Sequence, residues 1–265
     1  QFGMLANGFT ELIIGSPDAG NITGSGTINY NDPLTLQTSD YILLGSASLT
    51  GAPGEFANLT LWSDADNNDS GGIEVDTFST ITTNDGALVM GGGTDPLFDY
   101  AFGPVPGAID GVFVAGDIDT GFGDVTINGQ SASGTGVHFF TGSLYSDGNV
   151  NINGISTHPG STGPNYAGVN VAGTSVITTN TGAISITGES QSLTSENGVM
   201  GIMLENGVVE TIGSGTLDFL GTRTVSQGNW GYGVGMQNGA VIRSTAPGGG
   251  MIHIQANALD WDMNA

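Results

Sequence analysis

The chain contains no cysteine, no lysine and only two arginines among its 265 residues. The absence of cysteine excludes disulfides and thiol catalysis. Two basic residues against 25 acidic ones give a formal net charge of −23, which disfavours nucleic acid and anionic membranes as partners and favours cations. No apolar run approaches the roughly 18 residues that cross a bilayer as a helix. We therefore expect neither nucleic-acid binding nor membrane insertion.

Charged residues are also scarce, at 10%, whereas glycine occurs 47 times. Asn, Ser and Thr fill most polar positions, which suits tight turns and short strands better than helices. Disorder produces a similar composition, but regular β-branched alternation and 38% hydrophobic content indicate a packed core. The composition therefore favours an all-β body.

One seven-residue phrase recurs along the chain: Gly-x-apolar-x-apolar-x-small. Apolar residues two positions apart face one side of a strand, so each phrase predicts a short half-buried strand that begins at a glycine turn. The copies start at residues 86, 123, 148, 182, 215 and 250, giving separations of 37, 25, 34, 33 and 35 residues. A period in this range indicates a solenoid whose units bury their apolar faces on their neighbours.

Two further strand phrases lie between these copies. The second starts at residues 111, 136, 168, 201 and 233, and a weaker third follows at 175–178, 208–211 and 240–243. Three strands per period predict a triangular coil, and roughly six or seven stacked coils make a parallel β-solenoid. Six large side chains of these phrases are expected to fill the interior: Phe139, Phe140, Met200, Met203, Phe219 and Met236.

The repeat divides the chain into a cap or joining segment, residues 1–21, and a single β-helix domain, residues 22–265. The open strand edges at the ends of a solenoid carry caps or pair with another chain. Apolar residues near both ends are the candidate assembly residues: Phe9, Ile13, Ile252, Ile254 and Trp261. For Trp261 a second interpretation stays open, in which its ring covers the last coil as a lid.

Three stretches, together with the glycine-bounded strands, resemble cyanobacterial filamentous-haemagglutinin-type proteins. They are Asn-Asp-Pro-Leu-Thr-Leu-Gln-Thr at 31–38, Leu-Thr-Leu-Trp-Ser-Asp-Ala-Asp-Asn-Asn at 59–68 and Gly-Gly-Gly-Thr-Asp-Pro-Leu at 91–97. The resemblance spans about residues 20 to 260. It implies a right-handed parallel β-helix, secretion through a two-partner route and display outside a Gram-negative, cyanobacterial cell. It also implies adhesion, aggregation or fibre formation, as in biofilms, and no catalytic residues.

A segment of alternating acidic residues is the candidate metal site. Asp64, Asp66 and Asn68 alternate as in oxygen-rich Ca²⁺ loops, and Asp69 and Asp76 follow closely. The EF-hand pattern fails, because its sixth position holds Asp69 instead of Gly. Ca²⁺ is the one cofactor expected, and the alternative is a solvated turn stabilised by Asx hydrogen bonds.

Three aromatic residues are candidate carbohydrate contacts, because an aromatic ring in a glycine-rich loop or beside a turn can stack on a sugar ring. They are Trp230 and Tyr232 among glycines and Trp62 beside the acidic turn. The alternative role for these rings is packing over a coil edge or against another chain.

The sequence argues against an enzyme. Parallel β-helix polysaccharide lyases and hydrolases use basic residues, and this chain offers only Arg223 and Arg243. The carboxylates Asp117, Asp119 and Asp124 could meet for acid–base hydrolysis, but an acidic chain places such groups together without catalysis. His138, His158 and His253 fall on unlike positions of the repeat, so no three-histidine metal site is expected, and solvent exposure explains His138 and His253.

These features together predict a structural extracellular protein, either a subunit of a surface filament or a segment of a large adhesin. Its expected partners are copies of itself, joined head to tail or laterally, or other parts of the adhesin. The alternatives are a carbohydrate- or surface-binding module and, more remotely, a polysaccharide-degrading enzyme.

Overall fold

The computed structural model describes residues 8–104, 109–157, 166–191, 199–224 and 231–258, which form 24 β-strands and no helix. The same residues therefore contain no helix of the length and apolarity needed to cross a membrane. The strands are β1 (Leu12–Gly15), β2 (Ile22–Tyr30), β3 (Leu34–Gln37), β4 (Ile42–Gly51), β5 (Leu59–Trp62), β6 (Ile73–Val75), β7 (Thr80–Thr82), β8 (Leu88–Gly91), β9 (Ala101–Gly103), β10 (Val112–Val114), β11 (Asp117–Asp119), β12 (Val125–Ser131), β13 (Val137–Phe139), β14 (Ser143–Ser146), β15 (Val150–Ser156), β16 (Ala167–Ala172), β17 (Val176–Thr179), β18 (Ile184–Ser190), β19 (Val199–Glu205), β20 (Val208–Thr211), β21 (Leu217–Arg223), β22 (Gly231–Gln237), β23 (Val241–Ser244) and β24 (Ile252–Ala258).

The first sheet contains the strands of the seven-residue phrase. Its order is β1-β3-β5-β8-β12-β15-β18-β21-β24, and β9 pairs with β12 beside this path. Neighbours are parallel, and from β12 to β24 they pair residue for residue over seven positions. Like side chains therefore stack on like side chains in continuous rows, or files, that run from strand to strand across the sheet. An in-register parallel solenoid requires such files.

The second sheet has two arms that meet at the ten-residue strand β4. The first half of β4 pairs with β6 and its second half with β7. From β6 outwards the β13 arm runs β6-β10-β13-β16-β19-β22, and from β7 the β14 arm runs β7-β11-β14-β17-β20-β23. From β10 onwards the chain visits the β13 arm, the β14 arm and the first sheet in rotation.

The core is a set of apolar files enclosed by these sheets. In the first sheet one file contains Ile127, Ile152 and Ile186, each with no exposed surface, in direct register. Val169 and Val171 of β16 are likewise fully buried and belong to the same core cluster. Each such side chain contributes about 1.5–3 kcal/mol of burial free energy.

Glycine marks the corner where the first sheet approaches the β13 arm. A Cβ atom on Gly154 would lie 1.9 Å from the carbonyl oxygen of Gly168, and one on Gly168 would lie 2.2 Å from the backbone nitrogen of Glu189. The backbones therefore touch at this corner, and only glycine fits. This contact explains a glycine in both recurring phrases.

The all-β architecture with long parallel sheets is confirmed, and it is consistent with a β-solenoid. Nine strands lie on the path of the first sheet, and three of them precede the phrase at residue 86. At about 4.8 Å per strand they span roughly 38 Å. Within the segment 1–21, β1 pairs in parallel with β3 and so extends the first sheet.

Three residues expected in the interior lie at the surface instead, and one of them, Met200, is half-buried and lines a hollow beside Tyr232. Phe140 and Met236 are each 48% exposed, because Phe140 follows the end of β13 and Met236 stands on the last strand of its arm. Met203 is fully buried but falls between the core residues Ile202 and Leu204, so it faces outward, and it is not part of the core cluster.

Candidate functional site

The acidic turn after β5 is organised by hydrogen bonds to its own backbone. Asp64 is 2% exposed, and its Oδ1 accepts the backbone N–H groups of Asn68, at 2.9 Å, and Ser70, at 3.3 Å. Asp66 Oδ2 accepts the Asn68 side-chain amide at 2.7 Å. Burial raises the pKa of Asp64 to about 6. The arrangement is an Asx-type turn, the alternative that the sequence left open.

Asp76 is engaged separately, in the turn that follows β6. Its Oδ1 accepts from the backbone N–H of Phe78 at 2.9 Å and from the Ser79 hydroxyl at 2.9 Å, and it also accepts the N–H of Ser46. In the parts of the chain that the structure describes, no three or more His, Cys, Asp or Glu side chains are grouped so as to hold a metal ion. The structure therefore does not assemble the five predicted ligands into one site: Asp64, Asp66, Asn68, Asp69 and Asp76.

The two aromatic candidates that the structure describes lie on different sheets. Trp62 is half-buried on the first sheet, where its Nε1 donates to the carbonyl oxygen of Gly93 at 2.8 Å. Tyr232 is 48% exposed on β22 and lines a shallow hollow of about 390 Å³ with Met200 and Met236. Trp230 lies outside the described residues. Tyr232 is thus the exposed ring of the two that are described.

The three carboxylates considered for hydrolysis all accept hydrogen bonds from nearby groups. Asp117 Oδ1 accepts the Ser143 hydroxyl at 2.7 Å, and Asp124 Oδ1 accepts the N–H of Asn149 at 2.7 Å. Asp119 Oδ1 accepts the N–H of Gly121 in its own turn. Each carboxylate therefore has a hydrogen-bond partner, which belongs to the next copy of the repeat for Asp117 and Asp124 and to the same turn for Asp119.

The C-terminal end of the first sheet exposes the file that is buried elsewhere. Ile252 and Ile254 stack on Leu217 and Phe219 in register, yet they are 40% and 46% exposed. Nothing in the described residues covers the outer edge of β24, which is last in its sheet. The third candidate at this end, Trp261, lies outside the described residues.

The N-terminal end presents a similar row on β1. Leu12 and Ile14 stack on Leu34 and Leu36, and both pack against the core while remaining partly exposed. Ile13, at 53% exposure, falls between them and opposite Thr35, so it faces outward. Phe9 precedes β1 and is 49% exposed. The end file therefore consists of Leu12 and Ile14, which the sequence analysis did not single out.

A groove crosses the outer face of the β13 arm. Val137 and Phe139 face the core with no exposed surface, so His138 between them faces outward. Its Nδ1 lies 3.0 Å from Asp110 Oδ2, and Asp110 Oδ1 accepts the N–H of Thr135 at 2.7 Å. Asp110 is only 6% exposed. Its buried carboxylate is therefore held in place and fixes the orientation of the His138 imidazole ring.

Two phenylalanine rings flank this histidine. Phe113 lies edge-on to His138 with ring centroids 5.4 Å apart, and it stacks on Phe140 at 6.3 Å with an interplanar angle of 28°. Phe140 also meets His138 edge-on at 5.9 Å. The three rings fix one another and leave one side of Phe140 exposed.

The groove consists of two adjoining hollows of about 350 and 570 Å³ that share Phe140, Ala172 and Glu205. Asn170 stacks directly on His138 and lines the first hollow. Asn170 is 5% exposed, and its Oδ1 is buried without a hydrogen-bond partner. His138 Nε2 is likewise buried without a partner. The two unsatisfied polar atoms therefore belong to side chains that line the same hollow.

The sequence analysis missed this groove, and solvent exposure was the wrong explanation for His138. Asp110 lies 28 residues before it and belongs to the preceding copy of the second phrase. Aligning the two copies at Gly111 and Gly136 would have placed Asp110 beside Thr135, within reach of His138. His253 is exposed as expected, at 58% of its side chain, and His158 lies outside the described residues.

Comparison of the chain with protein-family models, with curated proteins and with solved structures finds no match.

Proposed function

We propose that the chain is a structural unit of an extracellular filament, or a section of a large surface adhesin, and that its solenoid ends stack on one another. The proposed fold is a right-handed parallel β-helix with three strands per coil. The proposed location is outside a Gram-negative, cyanobacterial cell, as the resemblance to exported haemagglutinin-type proteins implies. The role is mechanical rather than catalytic.

The main support for this proposal is that the apolar residues at the two ends of the first sheet match in spacing and position. At one end Ile252 and Ile254 form an apolar pair, two residues apart, that no residue of the described ranges covers. At the other end Leu12 and Ile14 form a pair with the same spacing and the same position in the file. Setting β1 of one copy on β24 of another would continue both files without a change of register. Such a head-to-tail contact does not close and so generates a filament.

The second sheet offers the same continuity. The terminal strands β22 and β23 present Val234 and Ile242, which occupy the files of Ile22 and Ile28 in β2. All four side chains are partly buried and pack against the core. Each of the three strand stacks could therefore gain a neighbour at a joint between copies, together with the backbone hydrogen bonds that an open strand edge leaves unmade.

The net charge of −23 determines how copies meet. Acidic lateral surfaces repel one another over about 8–10 Å at physiological salt. End-on stacking brings the smallest area of charged surface together, while lateral bundling needs salt or divalent cations. The proposed filament is therefore a single stack in the absence of divalent ions.

Ile254→Lys tests the joint, with Leu220→Lys as its matched control. Leu220 lies on β21, faces outward and is 38% exposed, close to the 46% of Ile254. Sedimentation velocity and electron microscopy should show end-to-end polymers for the wild type and Leu220→Lys and monomers for Ile254→Lys, because a lysine would be buried unpaired at the joint. Monomeric wild-type rods at all concentrations, or polymers unaffected by Ile254→Lys, would contradict the proposal.

A further inference from the structure

We propose that the groove on the outer face of the β13 arm, across β13, β16 and β19, binds a neutral oligosaccharide. The groove runs over the side of the coils, away from the strand edges at their ends. The inference therefore stands independently of end-to-end assembly, and either property can fail without the other.

The unsatisfied atoms of the groove are hydrogen-bond acceptors. When the imidazole of His138 is neutral and its Nδ1–H donates to Asp110 Oδ2, Nε2 keeps a lone pair and is an acceptor. Asn170 Oδ1 is also an acceptor, and both atoms are buried without partners. An unsatisfied buried acceptor costs about 1–3 kcal/mol. Both atoms have almost no exposed surface, so a ligand with several hydroxyl donors removes this cost when the two side chains turn toward the groove.

The charge of the groove narrows the ligand class further. Glu205 and Asp110 contribute carboxylates, and neither hollow is lined by an arginine among the described residues. Uronates and sulfated or phosphorylated sugars would be repelled. A neutral glycan supplies hydroxyl donors to the carboxylate and the two orphan acceptors without a charge penalty.

The exposed ring of Phe140 provides the apolar contact that sugar recognition needs. Phe113 and His138 support this ring from the protein side, so little side-chain entropy is lost when a sugar packs on its free face. Three neighbouring strands at about 4.8 Å span roughly 10 Å, enough for about two hexose rings. The ring and the acceptors lie along the same groove, which orients the sugar chain across the coils.

A small organic cation is the competing ligand, since carboxylates and an aromatic face also attract ammonium groups. It would leave the two orphan acceptors without the several directed donors that a disaccharide presents. The observations therefore favour the sugar, and the cation becomes an outcome of the test.

The test measures binding of disaccharides to the intact chain by saturation-transfer NMR and titration calorimetry. The probes are cellobiose, maltose, mannobiose and N,N′-diacetylchitobiose as neutral sugars, digalacturonate as an anionic sugar and choline as the cation. At least one neutral disaccharide should bind at millimolar concentration, digalacturonate should not, and binding should shift the His138 imidazole resonances.

Phe140→Ala should weaken that binding about tenfold or more, and Phe122→Ala is its matched control. Phe122 is 70% exposed and lies between β11 and β12, outside the groove. Asn170→Leu keeps a similar volume, removes one acceptor and should also weaken binding, with circular dichroism confirming the fold of all variants. Failure of every neutral disaccharide, choline binding in their place, or equal affinity of Phe140→Ala and Phe122→Ala overturns the proposal.

Discussion

Replacing Gly154 with alanine should weaken the fold at the corner where the first sheet meets the β13 arm. The new Cβ would lie 1.9 Å from the carbonyl oxygen of Gly168, and ordinary contact between such atoms needs about 1.5 Å more. The clash cannot relax by a side-chain rotation, because both partners are backbone. Strand β15 also pairs with β12 and β18 along its full length, so it cannot shift without disturbing two ladders.

Overpacking of a tight interior costs typically about 1–3 kcal/mol, and a clash between two paired backbones should reach the upper end. For a chain of this size, about 3 kcal/mol lowers the melting temperature by roughly 6–12 °C. Scanning calorimetry and guanidinium titration measure the change. Gly20→Ala is the matched control, because a Cβ there meets no atom within 4 Å; the lower chain entropy of the unfolded state makes it neutral or slightly stabilising. Equal melting temperatures for the two variants would refute the close-contact explanation.

Two further expectations concern acidic groups. Burial raises the pKa of the Asp64 carboxyl group from 3.8 to about 6, so the folded chain binds this proton more tightly than the unfolded chain does. The resulting contribution to the free energy of unfolding is fully present below about pH 4 and is lost as the pH rises through 6. Asp64→Asn retains an acceptor for the turn and should reduce the slope of unfolding free energy between pH 4 and 6, whereas an unchanged slope would contradict the assignment. Ca²⁺ added after chelation should raise the melting temperature and promote association more than NaCl of matched ionic strength does, because divalent ions offset the charge of −23. An unchanged melting temperature on adding Ca²⁺ would count against this expectation.

Alternation of apolar residues was enough to predict the long strands of the first sheet. The phrase at 182–188 corresponds to β18 (Ile184–Ser190), and the phrase at 148–154 to β15 (Val150–Ser156). The three-residue strands β6 and β7 were not predicted, because they lie outside the recurring phrases and so short a stretch carries no period of its own. Their position is fixed by pairing with β4, a tertiary effect.

The sites were harder to predict because the relevant neighbours are distant in sequence. Asp64 and Asp66 alternate as calcium ligands do, but backbone N–H groups within six residues satisfy Asp64 first. His138 and Asp110 meet only because adjacent coils stack in register. A reading of one phrase at a time cannot show a pair that spans two coils.

The register of the first sheet does not depend on the number of residues that join it to the β13 arm. Five residues separate β12 from β13, ten separate β15 from β16, and seven separate β21 from β22. The pairing of β12, β15, β18 and β21 nevertheless stays residue for residue. Insertions and deletions at this junction should therefore be tolerated. Foreign peptides could also be grafted there, one on each coil, with the distance between successive peptides set by the stacked strands.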